Sequence, residues 1–377
     1  MRGRAGDTRA GRRRLRLAAV IALTGCAAAG STTAGCAATG TATGTARSGA
    51  ATHAATASGV VATAPATTRA RDTPQQLTLI TEPEAGLGPL LAQLRAARTS
   101  VEIEIYELSD AALEAALVAA QHRGVTVRVL LNGGYHGTGG FPENDAAYAY
   151  LTHRGVAVRW TPPRFALTHE KAIVIDGRVL DIMTLNLTEQ DEKGTRDFAI
   201  VDRRPRDVAA VMRVFDSDWS GELVAPGTGS GDLVWSPGAL APELALIDSA
   251  RRSIDVYAEE MDDTRITQAL AAAARRGVDV RVLMTANPEW DHALARLTAA
   301  GAQVRTEPAG SALFIHAKLI LVDSATALIG SQNFSAGSLE ANRELGILVR
   351  SDAIIRSLAA TFAADDRRAS AFSAPRA

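Results

Sequence analysis

The chain contains an internal duplication, and this feature constrains its fold more than any other. The stretch TSVEIEIYELSDAALEAALVAAQHRGVTVRVLL (99–131) matches RSIDVYAEEMDDTRITQALAAAARRGVDVRVLM (252–284) at a constant offset of 153. Each copy alternates apolar and polar residues, continues with helical spacing, turns at a glycine and ends in a Val-rich strand. A strand–helix–strand unit places its strands in one sheet with helices packed on it. We therefore expect an α/β fold of two repeated α/β/α halves, each with a mixed sheet flanked by helices.

The duplication extends to polar residues whose spacing a shared fold does not dictate. Each half carries His-x-Lys-x4-Asp, an Asn ten residues after the Asp, and a carboxylate eleven residues after the Asn. These residues are His169, Lys171, Asp176, Asn186 and Asp197 in the first half, and His316, Lys318, Asp323, Asn333 and Glu344 in the second. Two of only three lysines in the chain occupy matching positions. The repetition of these residue types at equal spacings in both halves is therefore not accidental.

These residue types fit the cleavage of a phosphodiester. A His and a Lys two residues apart on a strand point to the same face, so both reach one pocket. One neutral imidazole can attack phosphorus to form a phosphohistidine, while a second His protonates the leaving alcohol. Lysines and asparagines can stabilise the charge on a pentacoordinate phosphorus. Because two ammonium groups supply positive charge, and no cluster with metal-ligand spacing is present, we expect neither a metal nor a cofactor.

Plainer interpretations exist for several of these residues. The two Asn could cap turns. Asp197 and Glu344 could be solvated strand residues, although their equal spacing favours carboxylates that each hold an imidazole in one tautomer. Asp176 and Asp323 follow apolar runs at hairpin-like turns, and we expect them to shape the site without contacting substrate.

The pattern resembles that of the phospholipase D superfamily, whose mark is a duplicated HxKx4D followed by x6GSxN. The second copy matches in full with HAKLILVD and GSQN, which includes Ser331. The first copy reads MTLN (183–186), so that Thr184 retains a hydroxyl but Met183 replaces the flexible glycine. This departure bears on how closely the backbone of the first half approaches the phosphate. The resemblance covers residues 77–365.

The resemblance implies that the halves are related by a pseudo-twofold axis, with one active site at their interface. The catalytic residues implied are His169, Lys171, Asn186, His316, Lys318 and Asn333, and the supporting residues are Asp176, Asp323, Thr184, Ser331, Asp197 and Glu344. Sequence symmetry leaves the nucleophile open, whereas the resemblance implies His169 as nucleophile and His316 as general acid, then base. The expected reaction is hydrolysis of a glycerophospholipid to phosphatidic acid, or transfer of the phosphatidyl group to another alcohol.

Two alternative functions remain open. A metal-independent endonuclease is the first, because the superfamily that the pattern resembles includes nucleases with the same pair of motifs. Residues 77–377 carry 30 basic and 39 acidic side chains, and this net charge of −9 disfavours general nucleic-acid binding. An inactive scaffold that binds an anionic ligand is the second alternative. A phosphatidyltransferase resembling cardiolipin synthases ranks lower, because those enzymes usually carry membrane-spanning segments. The expected partner is a phospholipid at a membrane surface, with no obligate protein partner.

The N-terminal region has the composition of an export signal. Seven arginines flank or precede a short apolar stretch, which predicts a signal peptide over residues 1–25. LTGC (23–26) resembles a lipobox, which makes Cys26 a lipidation candidate. Residues 26–76 are rich in Ala, Thr, Gly and Ser and predict a disordered tether. We expect the protein to be secreted or held on the outer face of the cytoplasmic membrane.

The remaining boundaries follow from the duplication. We expect the first repeat over residues 77–224 and the second over residues 232–366. A Gly/Ser/Pro-rich linker separates them, and a tail follows at residues 367–377.

Overall fold

A computed structural model describes residues 76–137, 141–227 and 229–374 of the chain. The predicted signal peptide, Cys26 and all but the last residue of the predicted tether lie outside the described residues, so these expectations stay predictions. Within the described part, no helix combines the length and apolar character needed to cross a bilayer.

The first half alternates strands and helices in the order that the duplication predicts. Its elements are β1 (Leu77–Glu82), α1 (Gly88–Ala96), β2 (Ser100–Ile105), α2 (Ala111–His122), β3 (Thr126–Leu131), α3 (Pro142–His153), β4 (Ala157–Trp160), β5 (Lys171–Ile175), β6 (Val179–Met183), α4 (Glu189–Gly194), β7 (Thr195–Asp202) and α5 (Pro205–Ser220). A short 3-10 turn, Tyr135–Gly137, follows β3.

The second half repeats this order. Its elements are β8 (Leu233–Ser236), α6 (Leu240–Ser249), β9 (Ser253–Tyr257), α7 (Thr264–Arg275), β10 (Asp279–Thr285), α8 (Asp291–Ala299), β11 (Gln303–Glu307), β12 (Phe314–Ile315), β13 (Lys318–Val322), β14 (Thr326–Gly330), α9 (Ala336–Glu340), β15 (Glu344–Val349), α10 (Asp352–Arg368) and β16 (Ser370–Ala371). The predicted end of this repeat at residue 366 lies within α10.

Two mixed sheets of eight strands confirm the predicted fold class. The first sheet has the order β1-β7-β6-β5-β2-β3-β4, with β12 of the second half added against β7. The second has the order β16-β11-β10-β9-β13-β14-β15-β8. Strands β2, β3 and β4 run parallel, as do β9, β10 and β11, and the short β12 runs parallel to β7, whereas the other pairs are antiparallel. Seven strands of one sheet correspond to seven of the other in the same order, whereas β12 and β16 have no counterpart in the other half.

The halves share a central apolar layer. One face of each sheet packs against α5 and α10 in a single cluster that contains Val211 of α5 and Phe362 of α10. The opposite face of the first sheet is covered by α1, α2 and α3. The opposite face of the second sheet is covered by α6, α7 and α8. Strands buried on both faces explain the nearly continuous apolar runs of β5 and β13.

Backbone and charge also join the halves close to the two histidines. Phe314 and Ile315 pair with Thr195 and Arg196 in parallel register. On the other side of the centre, the backbone N–H of His169 donates to the carbonyl of Arg343 at 2.9 Å. Buried ion pairs reinforce both contacts: Arg343 binds Asp218 at 2.8 Å, and Arg196 binds Asp365 at 2.6 Å. The histidines therefore lie at the seam between the halves.

Candidate active site

Both His-x-Lys pairs lie at the beginning of a central strand. His169 precedes β5, and His316 precedes β13, so that Lys171 and Lys318 are the first residues of their strands. All four side chains are buried. Each lysine donates from Nζ to the carbonyl oxygen of its own histidine, at 2.9 Å for Lys171 and 2.5 Å for Lys318. Local backbone geometry thus fixes each ammonium beside its imidazole.

The carboxylates that orient the imidazoles cross between the halves. Nδ1 of His169 in the first half lies 3.0 Å from Oε2 of Glu344 in the second half. Nδ1 of His316 in the second half lies 3.0 Å from both carboxylate oxygens of Asp197 in the first half. A carboxylate on Nδ1 fixes the tautomer and leaves Nε2 for the reacting phosphorus or the leaving oxygen. The spacing of these acids predicted their role but not the exchange of partners.

Each orienting carboxylate is itself held by neighbours of its own half. Asp197 accepts hydrogen bonds from the hydroxyls of Thr184 and Thr195, the latter at 2.6 Å. Glu344 accepts from the hydroxyl of Ser338 and from Nδ2 of Asn342 at 3.1 Å. The carboxylates are thereby fixed as acceptors toward the histidines.

Ser331 has a different role from Thr184. Its hydroxyl accepts a hydrogen bond from the backbone N–H of Leu345 at 3.2 Å, and its carbonyl oxygen lies 3.2 Å from Nδ1 of His169. The two members of this aligned pair therefore support the site through different atoms.

The electrostatic surroundings separate the two histidines. Burial and the charge of Lys171 lower the pKa of His169, against the opposing effect of Glu344. Burial would also lower the pKa of His316, but Asp197, Glu259 and Asp191 outweigh it and raise the pKa. A neutral His169 and a protonated His316 are the states required of a nucleophile and a general acid.

Beside Asp197, two acids that sequence reasoning missed contribute to this difference. Oε2 of Glu259 lies 3.5 Å from Nε2 of His316 and 2.7 Å from Nζ of Lys318. Oδ1 of Asp191 lies 3.8 Å from Nδ1 of His316. Aligned by the repeat offsets, the equivalent positions in the other half are Tyr106 and Ser338, neither of which carries a charge. Comparison of the copies residue by residue was the signal that could have found these acids.

Tyr106 occupies the corresponding place on the first side of the site. Its ring meets the imidazole of His169 edge to face, with centroids 4.7 Å apart, and Nζ of Lys171 lies 5.0 Å from the ring centroid. An aromatic ring therefore covers one dyad, whereas a carboxylate contacts the other.

The two lysines form a shared cationic centre. Burial lowers the pKa of Lys171 to about 7, and the neighbouring charge of Lys318 contributes to this shift. A phosphate anion placed between the ammonium groups would relieve their repulsion and favour their charged forms. The pair is therefore arranged to receive an anion.

The two predicted asparagines are also buried at the site. Asn186 and Asn333 are 7% and 6% exposed, and within the described residues the buried Oδ1 atom of each accepts no hydrogen bond. The backbone N–H of Asn333 donates to the hydroxyl of Ser338 at 2.7 Å. Ser338 thus connects the asparagine with Glu344.

Asp176 and Asp323 lie at the far ends of β5 and β13 from the lysines. The carboxylate of Asp176 accepts from the backbone N–H groups of Arg98, Thr99 and Ser100, at distances of 2.7 to 3.1 Å. Asp323 accepts in the same way from residues 251–253, at the beginning of β9. Both aspartates have positive φ, near +53°, in the hairpin turns that the sequence predicted. They join neighbouring strands and do not contact the histidines.

In the structure, the difference between GSQN in the second half and MTLN in the first concerns core packing. A Cβ on Gly330 would clash with the backbone of Gly346 and with the side-chain amide of Gln332. The paired glycines therefore make room for a buried glutamine. In the first half, the paired residues at these positions are Met183 and Ala199, which fill the equivalent space in an apolar core. The two copies differ in core packing at this point.

Among the residues that the structure describes, one group of side chains could hold a metal ion. Asp191, Asp197 and His316 bring donor atoms within 4.8 Å of one another. The Nδ1 atom that His316 would offer already faces Asp197, and both oxygens of Asp197 accept hydrogen bonds from threonines. These contacts orient the His316 imidazole, and they already involve the Asp197 and His316 atoms that a metal ion would bind. Independence from metals stays a prediction.

The chain matches a known family over both halves. A family model described as "Cardiolipin synthase, PLD-like domain" matches residues 90–219 and 244–365, together well over half of the chain. A cardiolipin synthase of Geobacillus kaustophilus is 27% identical over 343 residues, which cover 78% of this chain and 67% of the relative. Cardiolipin synthase B of Escherichia coli K12 is 28% identical over 287 residues, which cover 63% and 66%. The chain thus spans about two thirds of the length of these relatives.

Solved structures share the fold at low identity. A phosphatidylserine synthase of Haemophilus influenzae gives a TM-score of 0.63 at 12% identity, over 80% of this chain and 88% of that one. A polyphosphate kinase of Porphyromonas gingivalis gives 0.61 at 14% identity, over 78% and 47%. At these identities the likeness concerns the fold alone.

Proposed function

The chain belongs to the cardiolipin synthase-type PLD-like domain family of the phospholipase D superfamily, and on this premise we propose that it transfers phosphatidyl groups through a phosphohistidine. The substrate is a glycerophospholipid. Water as acceptor yields phosphatidic acid, and an alcohol as acceptor yields a new phospholipid.

One observation carries this proposal. Two buried imidazoles, each held at Nδ1 by a carboxylate of the other half, share a centre with two ammonium groups. Such a centre offers a neutral nucleophile, a protonated acid and positive charge for the phosphate oxygens.

The first chemical step forms the covalent intermediate. Nε2 of neutral His169 attacks phosphorus, and the bond between phosphorus and the head-group oxygen breaks. That oxygen takes the Nε2 proton of His316 and leaves as an alcohol. Lys171 and Lys318 stabilise the charge on the non-bridging oxygens. His169 assumes the nucleophilic role because its surroundings favour the neutral form, whereas the acids around His316 favour the protonated form.

The second step releases the enzyme. Nε2 of His316, now neutral, removes a proton from water or from an alcohol, and the resulting oxygen attacks phosphorus. The bond between phosphorus and His169 breaks, which regenerates neutral His169 and protonated His316. The same residues therefore support hydrolysis and transfer, and the acceptor decides the product.

Transfer to an alcohol is the second candidate outcome, and the relatives favour it. The relatives described above are named cardiolipin synthases, so a lipid with a free hydroxyl is a reasonable acceptor. An assay with phosphatidylglycerol as the sole lipid distinguishes the outcomes, because hydrolysis yields phosphatidic acid and transfer yields cardiolipin. Plasmid DNA and EDTA serve as further arms. Nicking of DNA without lipid turnover would favour the endonuclease, and loss of activity in EDTA would contradict a metal-independent reaction.

Trapping of the covalent intermediate tests the division of roles. We expect His169→Ala to form no phosphoenzyme from a p-nitrophenyl phosphodiester. His316→Ala should form one slowly and then stall, because p-nitrophenolate leaves without protonation while nothing activates the water. An adduct on His316 in the His169→Ala protein would reverse the roles. Absence of an adduct from both variants and from the wild type would contradict the covalent mechanism.

A further inference from the structure

The two sides of the active site differ most at one pair of equivalent positions. The first half has Tyr106, and the second has Glu259, whose carboxylate is 2.7 Å from Nζ of Lys318. The same carboxylate lies 3.5 Å from Nε2 of His316, the atom that would protonate the leaving oxygen. Its side chain is 27% exposed, so it lies where the buried dyad meets the cleft. Glu259 therefore lies on the side of the site from which, under the proposed function, the head group leaves.

Glu259 is negatively charged in this position. Burial would raise its pKa, but Lys318 and His316 hold the pKa well below the usual range. A phosphodiester that binds Lys318 consequently meets a carboxylate beside it. In water-poor surroundings, two anions a few ångströms apart repel each other strongly unless a cation lies between or beside them.

Carboxylates already contact charged groups of the centre before substrate binds. Glu259 contacts Lys318, and Asp197 contacts His316. An anionic substrate adds one net negative charge beside these carboxylates. A zwitterionic substrate adds none, provided that its cation lies close to Glu259.

The geometry fits a short amine. The leaving oxygen lies within hydrogen-bond reach of Nε2 of His316, about 2.8 Å. The carboxylate of Glu259 is 3.5 Å from the same nitrogen. An amine two carbons beyond the leaving oxygen can therefore contact Glu259 while the oxygen remains beside His316.

We propose that Glu259 is a specificity-determining residue that binds the ammonium group of a head group whose amine lies two carbons from the scissile oxygen. The preferred substrate is then a zwitterionic phospholipid of the ethanolamine type. This inference rests on the proposed function and adds the class of lipid to it. On binding, Glu259 exchanges its contact with Lys318 for one with the amine, which frees the lysine for the phosphate.

Three soluble lipids test the proposal. Dihexanoyl phosphatidylethanolamine and dihexanoyl phosphatidylpropanol differ only by an ammonium in place of a methyl group, and dihexanoyl phosphatidylglycerol offers a hydroxyl instead. We expect the full chain to cleave the ethanolamine lipid with a kcat/KM at least about tenfold above that of the propanol lipid. Glu259→Gln should reduce the ratio to within about threefold. The matched control Glu260→Gln, which alters an adjacent carboxylate bonded to Ser335, should keep the wild-type ratio.

Each outcome is decisive. If the wild-type protein cleaves the ethanolamine and propanol lipids with nearly equal kcat/KM, the proposal is overturned without any variant. It is also overturned if folded Glu259→Gln keeps the wild-type preference for the ethanolamine lipid. A preference for the glycerol lipid that is lost in Glu259→Gln would assign the residue to a hydroxyl and overturn the amine. Turnover without head-group preference leaves the proposed function intact. Absence of both turnover and phosphohistidine would instead refute the proposed function itself.

Discussion

At the scale of single residues, the site is built from exchanged partners. His169 depends on Glu344, and His316 depends on Asp197, although each histidine lies much nearer along the chain to the other carboxylate. The surroundings shift the pKa values of the two imidazoles in opposite directions. A neutral His169 and a protonated His316 therefore coexist between the two pKa values, which lie on either side of an ordinary histidine pKa near 6.5.

Because each histidine is bound by the carboxylate of the other half, we expect each carboxylate to affect one side of the dependence of kcat on pH. Under the proposed mechanism, turnover should fall at low pH as His169 gains a proton, and at high pH as His316 loses one. Because Asp197 raises the pKa of His316, Asp197→Asn should move the alkaline limb of kcat to lower pH and leave the acidic limb in place. Because Glu344 raises the pKa of His169, Glu344→Gln should move the acidic limb to lower pH and leave the alkaline limb in place.

The measurement is kcat against pH on a soluble phosphodiester, since bound phosphate favours the charged form of Lys171 in the complex. Both variants should also lose at least about tenfold in kcat, because an amide no longer fixes the required tautomer. An acidic limb that moves in Asp197→Asn would show that the carboxylates serve the histidines of their own halves.

The sequence predicted the residues of the site better than their partnerships. The repeated spacing identified both histidines, both lysines and the orienting acids. It could not assign Glu344 to His169, because a contact between halves depends on how two folded units pack. Glu259 was also not predicted. The search looked for residues that are identical in both copies, and the position equivalent to Glu259 is Tyr106.

At the scale of secondary-structure elements, two aspartates hold adjacent strands together. Asp176 joins the β5–β6 turn to the beginning of β2, and Asp323 joins the β13–β14 turn to the beginning of β9. The sequence predicted both turns, because an Asp after an apolar run is typical of one. It could not predict which backbone N–H groups donate to them, because these groups lie 70 or more residues away along the chain.

Removal of one of these carboxylates should affect stability more than chemistry. Asp176→Ala leaves three backbone N–H groups without their charged acceptor, which should lower the free energy of unfolding by about 1–3 kcal/mol. Because these bonds hold the pKa of Asp176 low, their contribution is present above the unfolded-state pKa and is lost on acidification. Urea denaturation measures the stability loss, and kcat of the folded variant should stay within about threefold of wild type. A larger loss of kcat with unchanged stability would place Asp176 in the chemistry.

At the scale of the whole molecule, one apolar layer belongs to both halves. Val211 of α5 and Phe362 of α10 lie in the same cluster as residues from both sheets. Buried ion pairs, such as Arg343 with Asp218, cross the same seam. Neither half can expose its inner face without the loss of this shared layer.

The shared layer predicts a single unfolding transition. Trp160 and Trp219 lie in the first half, and Trp235 and Trp290 in the second, so replacement of one pair by Phe yields a fluorescence probe of the other half. The two probes should report the same midpoint in urea, because opening of either half exposes the common core. Separated midpoints, with calorimetry showing two peaks, would mean that the halves unfold independently.

The exchanged carboxylates also determine when activity can arise during protein synthesis. The ribosome completes His169 long before Glu344, so a nascent chain carries this histidine without the carboxylate that orients it. His316, in contrast, is made after Asp197, its own partner. Under the proposed mechanism, a translation product that ends before Glu344 should therefore be inactive, and activity should arise only once the second half has folded against the first.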